Sequence, residues 1–140
     1  MIDRAPWSKL LTIERVDELH AEVLSKYGGL GNPAVDGCVE RSLAAAWTAE
    51  GYVTQDDETA QPGLVFAGHV LFYIAKNHCW ADGNGRTALA AMHEVIAGLG
   101  LTLDVTENEL YEHVMAIKKG SVKTAGDAVK WIASRLVELT

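Results

Sequence analysis

The chain has 140 residues, 49% of them hydrophobic and 22% charged, with a formal net charge of −7; this suits a single globular domain, residues 1–140, with one sizeable core. The acidic balance excludes a protein that grips nucleic acid along its phosphate backbone, although it leaves room for a local nucleotide pocket. No apolar run is long enough to span a bilayer and no charged-then-apolar leader is present, so a cytoplasmic protein with no membrane partner is expected.

Taken in chain order, "TIERVDELHAEVLSKYGG" repeats Ile13, Val16, Leu19, Val23 and Tyr27 at three- and four-residue steps, which is one face of a helix. Thr12 is its expected N-cap, and Gly28 and Gly29 end it. A second helix is expected from an N-cap at Asp36 to about Thr48. "EGYVTQDDETAQPG" then reads as a loop or short flap, with Tyr52 and Val53 able to pair as a brief strand. From Leu64 to Asn77 the chain is almost uniformly apolar, as in a helix buried nearly all round; a strand is the rival reading but the run is long for one. "GRTALAAMHEVIAGLG" is another strong helix, ending at Gly100. "TENELYEHVMAIKKG" opens with a capping box, Thr106 and Glu109. The last helix is expected from about Ala125 to Leu139. No stretch reads as a sheet. The expected fold is all-α, a bundle of about six helices.

Several reactive side chains carry no site pattern. Cys38 and Cys79 have neither CxxC nor metal-type spacing and are expected as reduced thiols. His69 lies inside an apolar helix and is expected in the core. His20, His93 and His113 show no metal-ligand spacing and are expected at the surface or an interface. Lys118 and Lys119 suit the end of a helix dipole without any ligand.

The loop "HCWADGNGRT", residues 78–87, is different. It joins the two most apolar helices. Gly83 and Gly85 flank Asn84, which permits positive φ angles and bare backbone N–H groups at a helix start, an anion site suited to phosphate. Arg86 in the first turn adds a fork of donors where a cation is otherwise disfavoured. Asp82 supplies a hard oxygen of the kind Mg²⁺ takes beside substrate phosphates. His78 can accept a proton from a hydroxyl attacking phosphorus. Residue by residue, blander readings stand: DGNG is a good turn, Asp82 a possible helix cap, and His78 a helix-end histidine satisfied by carbonyls. The combination points instead to phosphorus transfer from a nucleotide.

"HCWADGNGR" resembles the Fic motif, H-P-F-x-D/E-G-N-G/K-R, with Trp80 as the aromatic and Cys79 in place of the proline. "LTIERVDELHAEVLSKYGGLGNPAVDGCVERSLAAAW", "IAKNH" and "RTALAAMHEVIAGLGLTLDVTENELYEHVMAI" extend the likeness to the death-on-curing (Doc) branch. The resemblance implies the all-helical Fido core and transfer of part of a nucleoside triphosphate, with ATP as co-substrate and Mg²⁺ as cofactor, onto a hydroxyl of a target protein. It implies His78 as general base, Asp82 as the metal ligand, Gly83, Asn84 and Gly85 as the anion nest and Arg86 as a phosphate contact. It further implies a flap beside the nucleotide, for which residues 51–62 are the expected candidate.

Gly85 departs from the Doc branch, where lysine usually stands and the terminal phosphate is transferred to an elongation factor. Glycine leaves the nest open for the β- and γ-phosphates and turns the α-phosphate toward the attacking hydroxyl, so AMP transfer is expected over Doc-type phosphorylation. A catalytically silent binding module is the reading of another class. Fic-type proteins are often restrained by a glutamate in the pattern S/T-x-x-x-E-G/N. Glu50-Gly51 and Glu107-Asn108 supply its second half, but Ala46 and Leu103 stand where Ser or Thr is required. A toxin restrained by a separate small antitoxin protein is therefore the expectation.

Overall fold

The computed structural model describes residues 11–57 and 59–139. Six helices lie among them: α1 Ile13–Tyr27, α2 Cys38–Asp56, α3 Pro62–Asn77, α4 Asn84–Ala97, α5 Glu107–Lys119 and α6 Ala125–Ala133. Two short strands, β1 Leu101–Leu103 and β2 Leu136–Glu138, pair antiparallel with Leu103 opposite Leu136. The all-α bundle expected from the sequence is what forms.

α3 is the axis of the bundle. Val70, Leu71, Ile74 and Ala75 on it are fully buried, and it packs against α2, α4 and α6. Gly68 lets α6 come close: a Cβ there would lie 2.9 Å from both the backbone N and the Cα of Val129. α4 lines the next layer through Ala88, Ala91, Met92, Val95 and Ile96, all inaccessible to solvent. Burying the Val, Leu, Ile and Met side chains among these stabilises by roughly 1.5–3 kcal/mol each, so both helices that meet at the motif loop are anchored in the core.

The caps follow local chemistry. Thr12 accepts from Arg15 N at α1, and Thr106 and Glu109 form the full capping box at α5. Glu109 also pairs with Arg135, which ties α5 to the turn before β2. Arg15 reaches from α1 to Glu94 on α4 at 2.7 Å; the guanidinium holds the Glu94 carboxyl below its ordinary range.

Four expectations are corrected. α2 begins at Cys38, with Gly37 as an N-cap lacking any side-chain bond, so Asp36 does not cap it. α2 also runs on through Tyr52 and Val53 to Asp56, where a brief strand and a flap were expected; its ladder continues to Asp57 N, which donates to Val53 O at 3.0 Å. Residues 51–56 are therefore helical, and position 58 lies outside the described residues. The last helix ends at Ala133, because Leu136–Glu138 pairs with Leu101–Leu103, with Leu136 opposite Leu103 33 residues earlier in the chain, a partner that no local pattern reveals. Cys38 and Cys79 form a disulfide across a separation of 41 residues, with Cα atoms 5.4 Å apart, and are not reduced thiols. The fold makes that pairing possible by laying the segment before α2 along the motif loop, where Val35 N donates to Cys79 O at 2.8 Å.

Candidate functional site

The motif loop is the turn between α3 and α4, and both its ends are left-handed. His78 closes α3 at φ 49°, ψ 51°, and is the only described non-glycine residue with positive φ. Gly83 opens α4 at φ 80° and gives the helix no side-chain cap. The first intrahelical bond of α4 runs from Thr87 N to Gly83 O, so the N–H groups of Asn84, Gly85 and Arg86 stand free at the positive end of the helix dipole.

The interior of the loop is held by its own side chains. Asn84, buried, accepts from Trp80 N at 3.1 Å and donates to Trp80 O at 2.7 Å. Its amide braces the loop, and only its backbone is left for a ligand. Trp80, buried, stacks on His20 at 4.3 Å between ring centroids. His20 is itself buried, and its Nε2 donates to the Asp82 carbonyl at 2.8 Å. His20, expected at the surface or an interface, is instead the buried floor of the motif loop. His113 is also buried, stacked on Trp131 at 4.0 Å, and burial lowers its pKa. His93 is half-buried and donates from Nδ1 to Leu89 O. His69 is in the core as expected, donating from Nδ1 to Val65 O, with its pKa lowered by burial.

Asp82 does not cap α4. Its Oδ2 accepts from Leu30 N at 2.8 Å, which draws the exposed stretch 28–37 over the loop. The stretch 28–37 borders the motif loop through Leu30 and Val35. His78 is exposed and makes no hydrogen bond among the described residues, so the helix-end reading of a histidine satisfied by carbonyls does not hold.

Gly83, Asn84, Gly85 and Arg86 line one cleft of about 510 Å³ between α1, α4 and α5. His78 and Asp82 are not among its lining residues; they belong to the same loop, His78 closing α3 and Asp82 directly preceding Gly83. Arg86 has no carboxylate partner among the described residues; its guanidinium rests 3.8 Å from the Tyr27 ring centroid. Lys26 and Lys118 also border the cleft, opposed by Glu22 and Glu107. A Cβ at Gly85 would lie 2.7 Å from Val114 Cγ1 on the α5 wall of the same cleft. Sequence reasoning missed Tyr27 as a site residue, although its place at the end of α1 was read correctly; nothing in its spacing shows that it meets Arg86.

No group of three or more His, Cys, Asp or Glu side chains that could hold a metal lies among the described residues. Asp82 alone fits Mg²⁺ only in the way that ion is bound beside a nucleotide, with one carboxylate and the rest of the shell made of phosphate and water. The donor set therefore fits a metal that arrives with phosphates, and not a metal held by protein alone. No helix of the described residues is long and apolar enough to cross a membrane.

The model of the Fic/DOC family matches residues 10–96, from the start of α1 to the last turns of α4. No curated protein matches the chain. The chain belongs to the Fic/DOC family and is a transferase of the Fic type.

Proposed function

We propose that this Fic/DOC protein moves AMP from ATP onto a side-chain hydroxyl of a target protein. The observation that carries the reading is the uncapped start of α4, whose bare N–H groups open, with an Arg86 that has no carboxylate partner among the described residues, into a cleft of about 510 Å³. Preorganised donors of this kind stabilise charge where it develops, with little reorganisation at the moment of reaction. Gly85 supports AMP over terminal-phosphate transfer, since a side chain there would project against Val114 and into that cleft.

In the reaction, the target hydroxyl oxygen bonds to the α-phosphorus as the bond to the departing pyrophosphate breaks. The hydroxyl proton passes to the free imidazole of His78. The charge of the leaving pyrophosphate falls on the N–H groups of residues 84–86 and on the Arg86 fork. Bound with the nucleotide, Mg²⁺ would be held by Asp82 and would neutralise phosphate charge. The target, a translation factor by likeness to Doc, approaches along the exposed stretch 28–37. A separate small antitoxin restrains the enzyme by folding onto an apolar groove of the bundle.

The test is incubation with Mg²⁺, α-labelled ATP and a cell lysate, comparing the parent with His78→Ala. The parent labels a protein. His78→Ala retains ATP binding and loses on the order of 10²–10⁴ in rate. Equal labelling by both removes His78 as the base, and no labelling by the parent removes AMP transfer.

A further inference from the structure

His78 holds a conformation that a residue with a β-carbon seldom adopts, and such a conformation persists only where its surroundings impose it. Two anchors flank it. Asn77 Nδ2 donates to Ser42 Oγ at 2.9 Å. Cys79 is disulfide-bonded to Cys38. Cys38 and Ser42 are four residues apart at the start of α2, so they lie on one face of that helix. Ser42 is buried, and its hydroxyl donates in turn to Cys38 O at 2.9 Å. The residues before and after His78 are thus fastened to one patch of α2, and His78 between them is exposed.

We propose that Cys38, Ser42, Asn77 and Cys79 form a clamp that positions His78 for proton transfer, which makes them positioning residues of the site. The inference rests on the reading of His78 as the base. A general base works only within hydrogen-bond reach of its proton, and misplacement by about 1 Å can cost on the order of a hundredfold in rate. Without the clamp, residues 77–79 lose the restraints that hold a left-handed turn, and the imidazole samples orientations away from the hydroxyl. The cleft, built from α1, α4 and α5, shares no residue with the clamp, so nucleotide binding is unaffected.

The experiment compares the parent with Cys38→Ala/Cys79→Ala, Asn77→Ala and the variant carrying all three changes. With α-labelled ATP, kcat falls about tenfold in the first and further in the third, while KM for ATP stays within about twofold. Backbone ¹⁵N relaxation shows residues 78 and 79 more mobile in the variants than in the parent. Unchanged kcat with unchanged order at His78 overturns the proposal, as does a parallel loss of ATP affinity, which indicates collapse of the site. Free thiols at both cysteines in protein purified without reductant overturn its covalent half. If the parent transfers no label, the AMP-transfer reading has failed, and the relaxation comparison still decides whether the clamp fixes His78.

Discussion

Gly85 and Val114 stand so close that no side chain fits between them: a Cβ on Gly85 would lie 2.7 Å from Val114 Cγ1. The glycine thus has a packing role in addition to leaving the cleft open. Val114 is β-branched and stiff, so it cannot swing aside cheaply. Overpacking costs typically 1–3 kcal/mol, against a helix-propensity gain of about 1 kcal/mol for alanine over glycine. Gly85→Ala is expected to destabilise the parent in denaturant titration. In a Val114→Ala background, where the space exists, the same change is expected to stabilise. Destabilisation of equal size in both backgrounds would rule out the contact as the cause.

Tyr27 and Arg86 form the other close pair of the site. The ring covers one face of the guanidinium without neutralising it, which leaves its N–H edges for phosphate. Tyr27→Leu is expected to weaken ATP binding by about two- to fivefold, the size of an exposed cation–π contact, and to leave adenosine binding unchanged. Tyr27→Phe keeps both. Equal ATP affinity in parent and Tyr27→Leu, measured by titration calorimetry, would show that the stacking does not orient Arg86.

His113 and His69 predict a pH dependence of stability. Burial lowers both pKa values from the ordinary 6.5, so the unfolded chain binds protons that the folded chain refuses. Their contribution is fully present above pH 6.5 and is lost as pH falls below that value toward the folded-state pKa values. His113 Nε2 is buried with no hydrogen-bond partner among the described residues. His113→Phe keeps a ring against Trp131 and removes that orphan. The variant is expected to be at least as stable as the parent at pH 8 and to lose less stability on acidification to pH 5. A thermal midpoint that falls equally in both proteins would clear His113 of the effect.

The helices were legible because their signals are local. Thr12, Thr106 with Glu109, and the glycines after Tyr27 are caps written within one turn of chain. The motif loop was legible for the same reason, as ten consecutive residues. What escaped depends on partners distant in sequence. Nothing beside Cys38 announces Cys79, and nothing beside His20 announces Trp80 or the Asp82 carbonyl. Leu136–Glu138 extends a helical pattern until Leu101–Leu103 competes for its backbone. Tyr52 and Val53 favour strands by propensity, yet helix α2 carries them because its hydrogen-bond ladder is already running.

The proposed toxicity gives a cellular prediction. Induced expression of this chain without a partner is expected to arrest growth, and His78→Ala is expected to relieve the arrest. Growth curves with matched soluble protein levels check both. Arrest that persists with His78→Ala would separate toxicity from the proposed chemistry.

AMP transfer requires attack at the α-phosphorus. Parallel reactions with α-labelled and γ-labelled ATP, Mg²⁺ and lysate distinguish it from phosphate transfer. A labelled protein is expected from α-labelled ATP and none from γ-labelled ATP, with the γ-label released as pyrophosphate. Transfer of the γ-label to protein, with the α-label left in ADP, would contradict it and establish phosphorylation of the Doc type.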